Sequence, residues 1–228
     1  YHEFNEYDKA RELVDKMHKG KQIALITDAG TPGISDPGEE LVRLCWEEGI
    51  EVTSLPGPSA CITALSLSGL SSRRFAFEAF LPSDKKERQR ILKELAADTR
   101  TLILYEAPHR LVKILEELKE ALGNRKMTLC RELTKKHETI FRTDLQQAVL
   151  HYKAEEAKGE CVLVIEGRQQ EEILREQQES WGAFTLEEHL QIYEEQGESR
   201  KEAMRLVAKD RGCSRREIYQ ALLANKNR

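Results

Sequence analysis

The chain has 228 residues, of which 39% are hydrophobic and 33% charged, and its formal net charge is −4. This length suits one large domain or two domains with a small appendage. No apolar run approaches the roughly 20 residues that span a bilayer, and the first residues show no signal-peptide pattern. Five scattered cysteines without a C-x-x-C pair are typical of a reducing cytosol. These features argue against a membrane-spanning or disulfide-stapled protein and predict a cytoplasmic one.

Short apolar runs alternate with helical patterns in the first third of the chain. Residues 6–19 predict a helix that ends at Gly20, and residues 23–27 and 52–55 are predicted to be buried strands. A helix is expected after each strand, over 38–49 and 57–69. This alternation is typical of βαβ units and predicts a parallel sheet, whose carboxyl edge is the usual place for a ligand.

Two turns rich in glycine and proline follow the predicted strands. The first, DAGTPGISDPG over 28–38, contains three Gly and two Pro, and the second, LPGPSA, spans 55–60. Glycine lets a backbone approach a ligand closely, and the small neighbouring residues leave N–H and hydroxyl groups free. Neither G-x-G-x-x-G nor G-x-x-x-x-G-K-[ST] occurs, so this edge suits an adenosine-bearing cofactor without pyrophosphate. Two turns of purely structural purpose are the alternative.

A second set of elements begins at residue 75. Strands are predicted over 75–81, 101–107, 127–133, 139–143 and 161–166, and helices over 84–97 and 108–122. The second of these helices ends at Gly123 and has five apolar residues on one face: Leu111, Ile114, Leu115, Leu118 and Leu122. We expect the strands over 127–133 and 139–143 to pair antiparallel. The predicted domains are therefore a parallel-sheet domain over 1–72 and a mixed α/β domain over 73–168.

The polar residues 169–179 are predicted to be a linker to a basic helical domain over 180–228. Three helices are expected there, near 185–196, 199–210 and 215–224. The last two form a helix-turn-helix-like pattern, with Ser214 and Glu217 as a capping box. Nine Lys/Arg against three Asp/Glu from Arg200 to Arg228 give this tail a charge of about +6. The charge predicts a polyanionic partner, and a solvated helical hairpin is the alternative.

Five motifs occur along the chain in one order: TDAGTPGISDPG, LPGPSA, LYEAPHR (104–110), RELTKKHET (131–139) and GECVLVIEG (159–167). Together they closely resemble the ribosomal small-subunit methyltransferase I family over nearly the whole chain. The resemblance implies a tetrapyrrole methylase-like fold, with a cofactor cleft between two α/β domains and a small C-terminal helical domain. Family members begin with a strand unit and glycine turn that this chain does not show, so the first domain is expected to be incomplete.

The resemblance also implies an activity and a set of cofactor residues. The implied enzyme is a homodimer that uses S-adenosyl-L-methionine to methylate the ribose 2′-hydroxyl of a cytidine in 16S rRNA of the small ribosomal subunit. The first turn would contact the cofactor through Ala29, Gly30, Thr31 and Ile34, and the second turn through Ser59 and Ala60. Tyr105 would be a lid contact over the adenosine, with a simple core role as its alternative.

The charged motifs supply candidates for catalysis and for RNA contact. We predict Glu106 or Glu132 as the base or orienting group, with Lys135 stabilising negative charge. Glu106 is expected to point towards the same cleft as Tyr105. Phosphate contacts are predicted for four arginines, with salt-bridged surface roles as the alternative: Arg110, Arg131, Arg215 and Arg216. No histidine has a partner at metal-site spacing, so no metal is predicted.

Two other functions compete with this prediction. A methyltransferase of the same fold could act on a tetrapyrrole, although such a small substrate has no need of a basic helical tail. A catalytically inactive RNA-binding or ribosome-assembly protein is the second alternative. Binding of S-adenosylmethionine separates the enzymes from the inactive protein, and the acceptor of the methyl group separates the two enzymes.

Overall fold

The computed structural model describes residues 5–226, and only the backbone of residues 225 and 226. The outer ends of the first and last predicted domains, 1–4 and 227–228, lie outside this range. The chain divides into two compact units, Tyr1–Gly167 and Arg168–Arg228. No helix among the described residues is long and apolar enough to cross a membrane.

A five-stranded mixed sheet forms the centre of the first unit. Its strands are β1 (Phe75–Phe80), β2 (Thr101–Glu106), β3 (Lys126–Arg131), β4 (Thr139–Asp144) and β5 (Cys161–Ile165). They lie in the order β1-β2-β5-β3-β4. The β1–β2 pair is parallel and the other three pairs are antiparallel. All five strands were predicted from the sequence, and the expected antiparallel pairing of β3 with β4 is confirmed.

Helices cover the two faces of this sheet. The helices α4 (Lys85–Ala96), α5 (Leu111–Leu122) and α6 (Leu145–Ala154) pack on one face, and α3 (Ala60–Ser68) packs on the other. A short 3₁₀ turn, Pro108–Arg110, leads into α5. All five apolar residues predicted for the inner face of α5 are buried. Gly123 ends that helix at φ +77°, as predicted.

The predicted parallel sheet of the first domain is wrong for the described residues. Residues 23–27 and 52–55 are not strands and pair with no other segment in the sheet. Ile26 and Leu55 are each 85% exposed. A strand requires a neighbour to bond its N–H and C=O groups, and apolar character alone does not supply one. What this region does contain is α1 (Glu6–His18) and α2 (Glu39–Glu47), which pack together through four buried residues: Ala10, Val14, Leu41 and Cys45.

The described residues of the second unit form four helices: α7 (Gln170–Trp181), α8 (Leu186–Glu195), α9 (Arg200–Asp210) and α10 (Arg215–Lys226). The three helices predicted from the sequence are confirmed as α8, α9 and α10. The capping box of α10 is also confirmed, because Ser214 N–H donates to Glu217 Oε2 over 2.7 Å and Glu217 N–H donates to Ser214 Oγ over 3.3 Å. The segment 169–179, predicted as a linker, is helical over most of its length and belongs to this unit.

Candidate active site

The two glycine-rich turns lie against each other. Thr31 Oγ1 donates a hydrogen bond to the carbonyl oxygen of Pro58 over 2.9 Å. Gly30 and Gly33 have φ angles of +84° and +78°, which glycine adopts without the strain that a side chain would add. A Cβ on Gly57 would lie 3.1 Å from Thr31 Oγ1, so the second turn approaches the first closely because Gly57 has no side chain. These contacts bring the two turns together, although not at the edge of the parallel sheet that was predicted for them.

Small residues make this pair of turns an open ledge. Ala29, Gly30 and Ala60 are exposed, and Ile34 is 47% exposed. The half-buried residues Thr31 and Ser59 add two hydroxyl groups. We call the residues 29–34 and 57–60 the ledge.

Tyr105 reaches the ledge from the sheet. Its hydroxyl oxygen accepts a hydrogen bond from the backbone N–H of Cys61 over 3.0 Å, at the start of α3. Its ring packs edge-on against Phe77 and Phe80, with ring centres 4.9 and 5.7 Å away. Burial raises the pKa of Tyr105 to about 12, so the phenol stays protonated at neutral pH. The structure therefore gathers all seven predicted cofactor residues at one place.

Glu106 lies on the other face of the sheet, contrary to the expectation that it points towards the cleft with Tyr105. Successive side chains of a strand point to opposite faces. Tyr105 packs with the cluster around α3, whereas Leu104 and Cys161, the cross-strand partner of Glu106, belong to the cluster under α4, α5 and α6. The Glu106 side chain is 1% exposed. The alternation of side chains along β2 therefore explains why the expectation for Glu106 is wrong.

The carboxyl group of Glu106 is incompletely bonded. Its Oε1 accepts from Ala107 N–H over 2.8 Å and lies 3.4 Å from Arg110 Nε. Its Oε2 is buried and has no hydrogen-bond partner among the described residues. Burial raises the pKa of Glu106 above the ordinary value, and the nearby Arg110 opposes that shift only in part.

Glu132 and Lys135 lie together in the loop between β3 and β4. Glu132 Oε1 accepts from Lys135 Nζ over 3.2 Å and from the backbone N–H of Glu160 over 3.3 Å. The hydrogen bond from Lys135 lowers the pKa of Glu132, which is therefore a carboxylate at neutral pH. The loop contains two non-glycine residues with left-handed backbones, Glu132 at φ +51° and Thr134 at φ +59°. Such conformations are held only where surrounding contacts compensate for them.

An open pocket of about 610 Å³ lies beside this loop. Its lining combines three glutamates with three basic residues and a glycine: Glu132, Glu155, Glu156, Arg131, His137, Lys158 and Gly159. Gly159 contributes through its lack of a side chain, since a Cβ there would meet Glu132 Oε1 at 2.3 Å. The sequence analysis missed this contact, although the GEC motif just before β5 was its signal.

The four arginines predicted to contact RNA differ in their surroundings. Arg110 donates to the carbonyl of Leu81 over 2.8 Å, and Arg131 donates to the carbonyl of Lys158 over 3.2 Å. Each of these guanidinium groups therefore makes some of its hydrogen bonds within the first unit. Arg215 and Arg216 belong to the second unit and are exposed in the first turn of α10.

Comparison with known proteins places the chain in a family. A family model described as "Tetrapyrrole (Corrin/Porphyrin) Methylases" matches residues 2–149. The Synechocystis sp. protein "Ribosomal RNA small subunit methyltransferase I" is 44% identical over 224 residues, which are 98% of this chain and 78% of that protein. The chain belongs to the ribosomal RNA small subunit methyltransferase I family.

Other relatives with the same name agree. The Bacillus subtilis protein is 40% identical over 97% of this chain and 75% of its own length. The Escherichia coli O157:H7 protein is 49% identical over 75% of this chain and 61% of its own length. The prediction of an S-adenosylmethionine-dependent methyltransferase is confirmed by this family membership.

Solved structures agree on the fold of this methyltransferase I family member. The methyltransferase CobJ matches with a TM-score of 0.55 at 21% identity, over 72% of this chain and 73% of that chain. Diphthine synthase matches with a TM-score of 0.52 at 15% identity, over 73% of this chain and 68% of that chain. The chain therefore has the tetrapyrrole methylase-like α/β fold, with a mixed five-stranded sheet followed by C-terminal helices.

The ledge fits the cofactor that the methyltransferase I family uses. An adenosine with a short, zwitterionic amino-acid arm requires a flat, low-bulk surface with backbone and hydroxyl groups rather than a phosphate cradle. Gly30 and Gly57 supply the low bulk, and Thr31 and Ser59 supply hydroxyl groups. Together with Tyr105, these residues would hold S-adenosylmethionine.

Proposed function

We propose that this chain methylates the ribose 2′-hydroxyl of a cytidine in the 16S rRNA of the small ribosomal subunit. The observation that carries the proposal is its 44% identity to a ribosomal RNA small subunit methyltransferase I over 98% of its length. The ledge supports the same activity, because its two turns join through the Thr31–Pro58 hydrogen bond into one surface of small residues and hydroxyl groups.

The first task of the chain is to bind and orient the methyl donor. When bound, S-adenosylmethionine supplies an electrophilic methyl group on a sulfonium. Ala29, Gly30, Thr31, Ile34, Ser59, Ala60 and Tyr105 are the residues that we propose for its binding. Alignment of the reacting groups lowers the barrier of such a direct displacement by as much as about 7–11 kcal/mol in well-oriented systems. In this proposal positioning supplies most of the catalysis.

The second task is to polarise the ribose hydroxyl, which is a weak nucleophile. We propose that Glu132 accepts a hydrogen bond from it and that Lys135 stabilises the negative charge that develops on its oxygen. The support is their mutual contact of 3.2 Å at an open pocket and the lowered pKa of Glu132, which keeps it able to accept. We propose Glu106, which is 1% exposed, as a positioning residue that holds Ala107 and Arg110.

The third task is to hold the RNA. We propose that Arg110 and Arg131 contact phosphates near the reacting nucleotide. They would do so through the guanidinium N–H groups that make no hydrogen bond within the protein. Arg215 and Arg216 are proposed to contact RNA from the second unit. The charge of about +6 from Arg200 to Arg228 supports this role.

Three further features complete the proposal. The cofactor cleft lies between two α/β domains, divided near residue 72. The active enzyme is a homodimer, and it works in the cytoplasm, where its ribosomal substrate is assembled. The support for these three features is the resemblance to the family, and they extend beyond the contacts described above.

Transfer of a labelled methyl group tests this function. The chain is incubated with methyl-tritiated S-adenosylmethionine and either small ribosomal subunits that lack the modification or a uroporphyrinogen. We expect label in the RNA of the subunits and none in the tetrapyrrole. Label in the tetrapyrrole alone identifies the competing enzyme. Cofactor binding by calorimetry without transfer to either acceptor contradicts the proposed activity.

A further inference from the structure

The first two turns of α10 carry an exposed cluster of two arginines and one tyrosine. Arg215 and Arg216 are exposed and Tyr219 is 54% exposed. Tyr219 follows Arg215 by four residues and Arg216 by three, so all three side chains lie on adjoining parts of one helix surface. They line an open hollow of about 410 Å³. We call these three residues the α10 cluster.

One face of α10 packs into the core of the second unit, but the α10 cluster is not part of that face. Ile218 and Leu222 pack into the core of the second unit and are 2% and 8% exposed. Tyr219 is not part of that core. Its ring is 54% exposed beside two cations and is therefore accessible to a ligand.

Neither arginine forms an ion pair with the neighbouring acids of the helix pair, although Arg215 lies close enough to Glu202 to act on it electrostatically. Glu217 is used by the cap, where its Oε2 accepts from Ser214 N–H over 2.7 Å. Glu202 of α9 accepts from Arg205 Nε over 2.7 Å. Among residues 5–224, whose side chains are described, no ion pair or hydrogen bond is seen for Arg215 or Arg216. Two cations are thus available to a ligand.

We infer that the α10 cluster binds a single-stranded segment of RNA, with Tyr219 stacked on an unpaired base and the two arginines on the flanking phosphates. Base–aromatic stacking needs an accessible face of an unpaired base, which a continuous duplex does not offer. The guanidinium forks suit phosphate oxygens. This inference rests on the proposed function, which supplies RNA as the substrate, and adds that the second unit selects unpaired nucleotides.

Fluorescence anisotropy with the full chain and a fluorescein-labelled, unstructured RNA dodecamer tests this inference. The probe is titrated with wild type and with Arg215→Ala/Arg216→Ala. We expect the magnitude of the slope of log K against log salt to fall by about 1.4 in the variant, because each phosphate contact to a single strand contributes about 0.7. The matched control is Arg200→Ala/Arg205→Ala, which removes two exposed arginines already paired with Glu194 and Glu202. The control should leave the slope nearly unchanged.

Substitution of Tyr219 separates stacking from charge. Tyr219→Leu should weaken binding of the dodecamer by about tenfold, and Tyr219→Phe should keep most of the affinity because its ring still stacks. A duplex of the same sequence should bind more weakly than the single strand and should not respond to Tyr219→Leu. Thermal melting of each variant is expected to match wild type, because all three residues are exposed.

Several results would overturn the inference. One is an Arg215→Ala/Arg216→Ala variant that binds like wild type or like its control. Others are equal loss in Tyr219→Phe and Tyr219→Leu, or a duplex bound as tightly as the single strand. An acidic peptide that displaces the dodecamer at similar concentration would identify a protein-binding surface instead.

This test and the test of the proposed function can fail separately. If small subunits are methylated but the α10 cluster variants bind RNA as wild type does, the inference fails and the function stands. If the cluster binds single strands as expected but no ribose is methylated, the function fails and the binding surface stands.

Discussion

Glu106 is a carboxyl group whose surroundings oppose its charge. Its side chain is 1% exposed, and Oε2 has no partner among the described residues. Burial holds its pKa above the value near 4.3 of an unfolded chain. The folded state therefore binds this proton more tightly than the unfolded state. The resulting contribution to stability is complete at pH values below about 4.3 and is lost as pH rises through the folded pKa.

Glu106→Gln removes this dependence. We expect the melting temperature of the variant, relative to that of wild type, to be higher at pH 8 than at pH 4.5, because wild type must ionise a buried carboxyl group at the higher pH. Differential scanning calorimetry at both pH values measures the gap. Glu120→Gln, at an exposed position of α5, is the control and should show no such widening. An equal difference in melting temperature between Glu106→Gln and wild type at both pH values would mean that ionisation of Glu106 does not destabilise the folded chain.

Thr31 joins the two turns of the ledge through one hydroxyl group. Thr31→Val keeps the shape of the side chain but removes the donor to the Pro58 carbonyl. A hydrogen bond of this kind contributes about 0.5–1.5 kcal/mol, so we expect S-adenosylmethionine to bind about two- to tenfold more weakly by titration calorimetry. Thr31→Ser keeps the donor and should bind nearly as wild type does. If Val and Ser behave alike, the hydrogen bond does not shape the cofactor site.

At the scale of elements, the loop between β3 and β4 is held by what packs around Glu132. A Cβ on Gly159 would lie 2.3 Å from Glu132 Oε1, whereas a Cβ on Gly123 would meet nothing within 4 Å. The two glycines have nearly equal φ angles, +76° and +77°. Alanine is therefore strained at either position, and only Gly159→Ala adds the contact with Glu132.

We expect Gly159→Ala to lower the stability of the chain by about 1–3 kcal/mol more than Gly123→Ala does, as for other overpacked sites. Urea denaturation measures both. Addition of Glu132→Ala should remove most of the excess, since the clashing carboxyl group is then absent. Equal losses in the two glycine variants would show that Glu132 moves aside freely and that the loop is not fixed by it.

The second unit has a buried polar network that joins three of its helices. His189 is fully buried, stacks on Trp181 at 3.8 Å and lies 3.2 Å from Asp210 Oδ2. Arg211 Nε lies 3.2 Å from His189 Nδ1, and the same guanidinium donates to the carbonyls of Trp181 and Phe184 over 2.9 and 2.5 Å. The planar fork of Arg211 satisfies several acceptors that a lysine ammonium could not reach together.

Arg211→Lys should therefore loosen the packing around Trp181 while keeping the charge. We expect a loss of about 2 kcal/mol in the stability of the second unit and a weaker near-ultraviolet circular dichroism signal. The control, Arg175→Lys at an exposed position of α7, should change neither. An unaltered tryptophan signal in Arg211→Lys would show that the arginine does not order this corner.

The sequence predicted some elements well because their signals are local. The apolar face of α5, the Gly123 stop and the Ser214–Glu217 cap each depend on residues within a few positions of one another, and all three are confirmed. Segments 23–27 and 52–55 have the apolar composition of strands, but neither has a partner in the sheet. Composition alone does not show whether a segment will find a partner strand. Glu106 directly follows Tyr105 in β2, so strand alternation puts the two side chains on opposite faces, which the expectation of a shared cleft overlooked. The contact between Gly159 and Glu132 joins residues 27 positions apart, so no local pattern reveals it.

At the scale of the whole molecule, charge is divided unevenly along the chain. The residues from Arg200 to Arg228 carry about +6 in a chain whose net charge is −4. The first unit contains the mixed sheet, the ledge and the Glu132–Lys135 pair, and the second unit contains the exposed α10 cluster. In our proposal, the chemistry therefore belongs to the first unit, whereas both units contact the RNA.

The measurement that tests the central claim most directly is the identity of the methylated nucleoside. Small subunits that lack the modification are treated with the chain and S-adenosylmethionine bearing a trideuterated methyl group, and the 16S rRNA is digested to nucleosides for mass spectrometry. Our account predicts 2′-O-trideuteromethylcytidine, with much less of it for Thr31→Val at limiting cofactor. A trideuterated methyl group on a base, or none in the 16S rRNA at all, would contradict it.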